Sequence, residues 1–191
     1  MSDDLDQSAA YFGLGLFDRT VAWLGWRFGR PALDLVFKGD QDPYLMTSHI
    51  FVAGTSAPID ARWYRVGVRN RWRATIEDVQ VTAERLMPST LPGLPQVLHL
   101  MHDNPAPGTP HQGTFSVPSD RRPSRYVDVV SKVIGQPFFQ LEHITPGVMK
   151  LFPAGTYELE LQVRGLGTQS RRRTFVIDLD DSGELRFRAR R

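Results

Sequence analysis

The sequence contains no cysteine. Disulfides, thiolate nucleophiles and cysteine-based zinc sites are therefore excluded outright. Lysine is almost as scarce, with three lysines against twenty arginines. Long apolar runs are missing too: Asp18 and Arg19 interrupt the most hydrophobic stretch, so no membrane-spanning segment is expected. Met1 to Gln7 carries three aspartates rather than the basic start of a secretory signal, and a cytoplasmic location is the simplest expectation. No Gly-x-Ser-x-Gly elbow and no Ser-x-x-Lys pair occurs. Gly165-Leu-Gly167 lacks the following helix whose N-terminus would hold a phosphate. These absences predict a protein that is not an enzyme and that holds no cofactor and no metal.

What is present fits a globular chain. The 191 residues are 41% hydrophobic and 23% charged, with a formal net charge of +2. A chain of this size buries roughly two-thirds of its unfolded surface, so it needs no covalent or metal staple. The arginine excess has two readings, a binding surface built on bidentate guanidinium contacts or a codon bias without function.

The chain divides near Pro31. Before it, Ala10, Leu14, Phe17, Val21, Leu24 and Phe28 recur at alternating spacings of four and three, which places them on one stripe of a helix. Gly13, Gly15 and Gly25 weaken that helix, and Pro31 ends it. Residues 1–30 thus read as an acidic tail with an apolar helix, and 31–191 as a second unit with period two. Leu33 to Phe37 reads as a first strand. In Trp63 to Asn70, alternation places Tyr64, Val66 and Val68 on one face and Trp63, Arg65 and Arg69 on the other. Ile76 to Arg85, Arg125 to Val133, Gly155 to Val163 and Thr174 to Leu179 follow the same rule. A turn at Asp180 to Gly183 leads into Glu184 to Ala189, a hairpin signature. The middle is proline-rich and reads as loops, because proline removes a ladder donor. The expectation is mostly β: an antiparallel sandwich of seven to eight strands with a short N-terminal helix.

Val66-x-Val68-x-Asn70, a short turn, Ala74 and then Val79-x-Val81 resembles the bacterial immunoglobulin-like domains related to cell-adhesion and fibronectin-type modules. Leu151-Phe-Pro-Ala-Gly155-Thr-Tyr157 is similar to their Pro-x-Gly-x-Tyr entry into a late strand. The resemblance covers about half the chain and departs from the pattern at Arg71-Trp72 and in the proline-rich middle. It implies an immunoglobulin-like fold and a binding or scaffolding role, and it names no ligand.

Three candidate surfaces follow. The apolar stripe (Leu14, Phe17, Val21, Leu24, Phe28) either completes the sandwich core or is offered to a partner groove or a second copy. With the outward Trp63, Arg65 and Arg69, it forms the expected contact surface of a non-enzymatic interaction protein or accessory subunit, whose partner is another protein or a second copy of this chain. The alternative is a polyanion-binding module, with nucleic acid or an anionic surface held by Arg171, Arg172, Arg173, Arg186, Arg188 and Arg190. Glu158, Glu160, Asp178 and Glu184 stand ready to neutralise that face. Exposed Trp63 or Trp72 would also suit a carbohydrate. His99, His102, Asp103 and His111 form the one cluster of metal-ligating types, but without the glutamate of a helical zinc motif they are expected to be ordinary loop residues.

Overall fold

The computed structural model describes residues 32–50, 58–88, 94–98, 100, 113–120, 122–143 and 150–190. The expected helix and its stripe from Leu14 to Phe28 lie outside the described residues, as do His99, His102, Asp103 and His111. Twelve strands run through the rest: β1 (Leu33–Val36), β2 (Leu45–Ile50), β3 (Ile59–Asn70), β4 (Ile76–Met87), β5 (Gln96–Val97), β6 (Phe115–Val117), β7 (Arg125–Val133), β8 (Phe138–Leu141), β9 (Leu151–Pro153), β10 (Gly155–Arg164), β11 (Arg171–Leu179) and β12 (Leu185–Ala189). No helix occurs among the described residues.

The strands form two antiparallel sheets. The first runs β1-β3-β7-β8-β9, with β2 also on β3; the second runs β12-β11-β10-β4-β5, with β6 also on β4. Period-two burial explains the layering. Tyr64, Val66 and Val68 of β3 and Val127 and Val130 of β7 face Val79, Val81 and Ala83 of β4 and Leu159, Leu161 and Val163 of β10 in one shared core. Burying each such side chain contributes about 1.5–3 kcal/mol. The sheets are also tied by a polar contact: the Tyr64 hydroxyl donates to the Leu185 carbonyl across the interior. Phe187 stacks on Phe175 at 5.1 Å and meets the Tyr64 ring at 5.8 Å.

Both sequence motifs have local work to do. Asn70 is buried, and its side-chain amide donates to the carbonyls of Ala74 (2.7 Å) and Val117 (3.0 Å) while its oxygen accepts from the Trp72 amide (2.7 Å). One side chain thus satisfies the turn that ends β3. The Tyr157 hydroxyl donates to the Pro153 carbonyl at 3.1 Å, pinning the corner where β9 meets β10. Gly155 between them has a φ of +150°, a region that L side chains rarely adopt.

The structure has more strands than the seven or eight expected. The additional ones are β2, β5, β6, β8 and β9, with lengths of six residues or fewer, too short for a period to declare itself. Among its described residues the proline-rich middle supplies the two- and three-residue β5 and β6, both on the β4 edge. β11 begins at Arg171 rather than Thr174, so the three arginines belong to the strand itself.

Candidate functional site

β12 pairs only with residues 175–179 of β11, so the first third of β11 projects beyond its neighbour. β1 is a short strand at the edge of the first sheet, and Ala32 just before it bridges in parallel to Gln169. Where these two meet lies a groove of about 350 Å³. Its floor is β1, from Asp34 to Val36, with Phe37. Arg69 and Arg71 at the end of β3 form one bank, and Arg171, Arg172 and Arg173 form the other.

Local pairing explains how each side chain is placed. Asp34 stands directly opposite Arg69 in the β1–β3 register. Arg69 donates an Nη to Asp34 Oδ2 at 2.8 Å, and Arg71 pairs with the same oxygen. Arg69 Nε, shielded from solvent, meets no acceptor. Arg173 lies on the inward face of β11, beyond the point where the core ends. Its guanidinium crosses to the other sheet, donates to the Leu35 carbonyl at 2.6 Å and sits 5.7 Å from the Phe175 ring centre. Arg172 reaches Glu160 at 3.2 Å. Arg171 makes no ion pair or side-chain hydrogen bond among the described residues. Four guanidiniums, those of Arg69, Arg71, Arg171 and Arg173, against the single Asp34 carboxylate leave +3 in the groove; Arg172 lines it too, but its guanidinium is turned to Glu160 on the other face of β11. Unused N–H donors converge on a concave surface, an arrangement suited to anions.

The groove joins residues that the sequence reading assigned to different surfaces. Arg69, expected in a contact face with Trp63, instead stands beside Arg171, Arg172 and Arg173. The remaining C-terminal arginines do not join them. Arg190 is taken by Glu158 of β10 at 2.6 Å, while Arg186 is taken at 3.1 Å by Glu184, two residues before it, rather than across strands. Arg188 is exposed on the same face.

The expectation that Arg65 is an outward contact residue is overturned: it is only 3% exposed. Alternation does put it opposite the core, but that face is dry at this point. Tyr126 and Pro123 crowd over the neighbouring Gly67, where an added Cβ would lie 2.5 Å from Pro123 Cβ. Tyr44 packs edge-on to Tyr126 at 5.5 Å, and Met46 Sδ lies 3.4 Å from an Arg65 Nη. In this enclosure Arg65 Nε bonds Asp128 Oδ1 at 2.5 Å, a buried ion pair. Trp63 is half-buried and lines a hollow of about 80 Å³ on the outer face of the first sheet, with Ile50, Val133, Phe138 and Leu151. Trp72 packs against the core rather than standing free as a sugar platform.

Two features were invisible from sequence. Asp34 has no motif around it, and only the β1–β3 register reveals its pairing with Arg69. Lys132 is buried, with its ammonium donating to the Val133 carbonyl at 3.2 Å. Burial, and then the nearby Arg62, lower its pKa below the usual lysine value. No group of three or more metal-ligating side chains occurs among the described residues. No helix among them is long and apolar enough to cross a membrane. No family model, curated protein or solved structure matches this chain.

Proposed function

We propose that this protein is a non-enzymatic binding module, built on an immunoglobulin-like plan, whose ligand presents anionic groups to the arginine groove. The observation that carries the reading is the convergence of arginines from both sheets, Arg69 and Arg71 on one bank and Arg171 and Arg173 on the other, on one concave site holding a single carboxylate. Charge-assisted hydrogen bonds from guanidinium to anion are roughly twice as strong as neutral ones. The immunoglobulin-like plan is supported by the two antiparallel sheets and by the Tyr157 corner bond, a device of such sandwiches.

The test is calorimetric titration of the purified chain with sodium tripolyphosphate at low and moderate salt. Binding that weakens with salt, and that falls at least about tenfold in an Arg71→Ala/Arg171→Ala variant, supports the groove, since each charged hydrogen bond contributes about 1.5–3 kcal/mol. Equal binding by wild type and variant would place the anion elsewhere.

A second reading keeps the accessory-subunit role with a protein partner. It is favoured by the apolar hollow beside Trp63, where Leu151 remains 44% exposed. Trp63→Ala would then abolish a partner's co-purification while leaving tripolyphosphate binding intact.

A further inference from the structure

Resting on the arginine-groove reading, we infer that the ligand is a small diffusible molecule carrying a multiply charged phosphoryl group, and that Asp34 is the internal carboxylate it displaces. Four observations lead there.

The first is size. A groove of about 350 Å³ matches the lower end of small-molecule sites rather than a track for a long chain. The second is the state of the β1 edge. A peptide adding itself as a strand needs the outward carbonyls of β1, but Arg173 already holds that of Leu35 at 2.6 Å. The third is the neutralised surroundings. Arg186 and Arg190 are paired with Glu184 and Glu158, so beyond the groove this face leaves Arg188 as an isolated open charge rather than the continuous track that a long polyanion would require.

The fourth observation is Asp34 itself. One oxygen of its carboxylate takes both Arg69 and Arg71. These two guanidiniums are held in place facing a single negative charge. A ligand carboxylate would only exchange one such charge for another. A phosphoryl group brings about −1.5 to −2 and three acceptor oxygens, enough to engage Arg71 and Arg171 together while Asp34 gives way. Arg71 is 58% exposed at its side chain, so a ligand can reach its guanidinium while it is still paired with Asp34. Discrimination between phosphoryl and carboxylate ligands is therefore set by the resident carboxylate.

The experiment titrates pyrophosphate and acetate against wild type, Asp34→Asn and Arg171→Ala, with thermal melting confirming that each variant folds. Arg171→Ala is chosen because that side chain makes no ion pair among the described residues. Pyrophosphate is expected to bind wild type at least about tenfold more tightly than acetate. Asp34→Asn should tighten pyrophosphate about tenfold and narrow the gap to acetate, and Arg171→Ala should weaken pyrophosphate by about the same factor. Equal binding of acetate and pyrophosphate, or a weakened Asp34→Asn, overturns the inference while leaving an anion groove in place. No binding of either anion to wild type overturns the groove reading as well. Two further arms separate the sources of the phosphoryl group. Oligothymidylate whose affinity climbs steeply with length shows a nucleic-acid polyanion, and cosedimentation with phosphatidylinositol-phosphate vesicles at affinities beyond pyrophosphate shows a lipid headgroup. Either outcome overturns the diffusible ligand.

Discussion

Replacing Arg65 by alanine probes the least expected feature of the fold. The side chain is 3% exposed and its partner Asp128 only 8%, with 2.5 Å between Nε and Oδ1. Truncation removes the guanidinium, leaves the carboxylate inside and opens space beside Met46. Breaking a buried ion pair by removing one partner costs about 3–5 kcal/mol, against a total stability of roughly 5–15 kcal/mol for a domain. With a urea slope of about 2 kcal/mol/M, the midpoint should fall by about 2 M. An exposed arginine at the same position would cost no more than about 0.5 kcal/mol. The control is Arg65→Met/Asp128→Leu, which removes both charges and fills the space. It should recover most of the loss, since apolar replacements of buried pairs are often neutral or stabilising. Urea unfolding followed by tryptophan fluorescence measures all three proteins. A midpoint for Arg65→Ala within about 0.3 M of wild type would refute the enclosed pair and restore Arg65 to the surface.

Gly67→Ala forces a Cβ to 2.5 Å from Pro123 Cβ and 3.1 Å from the Tyr126 ring, and should destabilise the fold by about 1–3 kcal/mol in the same assay. Tyr157→Phe removes the bond to the Pro153 carbonyl while Phe139 and Phe152 still hold the ring, so the loss should be about 1 kcal/mol. Burial, followed by nearby Asp40, pushes the Tyr64 hydroxyl up to about 12 from its ordinary 10.0. Between those values the unfolded chain releases a proton that the folded chain keeps, so stability is full below pH 10 and falls as pH rises toward 12. Tyr64→Phe should lessen that alkaline decline in urea midpoints measured across the window, the remainder coming from Tyr44, which burial also pushes up to about 12, and from Tyr157.

Long strands with one apolar face were legible from residues alone. Tyr157, Leu159, Leu161 and Val163 of β10 declare themselves because the alternation persists over ten residues and the sheet has a wet side. β7 runs from Arg125 to Val133 as expected. The short β8 and β9 escaped because three or four residues sample too little of any period, and β2 because Leu45-Met-Thr-Ser-His-Ile50 alternates weakly. Arg65 was misplaced for another reason. Alternation specifies which side of a sheet a residue faces, but whether that side is wet depends on what crosses it. Here Tyr44, Met46, Pro123 and Tyr126 cover it, supplied by segments 20 to 60 positions away. The groove was half legible. Arg171, Arg172 and Arg173 stood out as a run, while Asp34, Arg69 and Arg71 joined them only through the β1–β3 register and the meeting of two sheet edges.

Arginine content by itself therefore says little about binding, and partnership decides. Arg65 is spent on a buried carboxylate, Arg164 on Gln80, Arg125 on the Ser116 carbonyl, Arg186 on Glu184 two residues before it, and Arg190 on Glu158 of β10. Each of these guanidiniums already carries a bond to the protein, and a ligand would have to compete with that bond to use it. The groove differs because its donors outnumber the acceptors offered by Asp34, Leu35 and Glu160. Its geometry also follows from the fold. A sandwich must do something with the open edge of a four-residue strand, since unpaired carbonyls there invite foreign strands. Beside the Ala32–Gln169 bridge, Arg173 covers the β1 edge by capping Leu35, and reaching that carbonyl draws Arg173 and Arg171 toward the arginines of β3. Protection of a sheet edge and concentration of positive charge are thus one structural event. Arg173→Leu separates it from a purely electrostatic account: it should weaken anion binding and also free the β1 edge, detectable as concentration-dependent self-association. A variant that lost anion affinity while staying monomeric would show that the edge was closed by something other than this guanidinium.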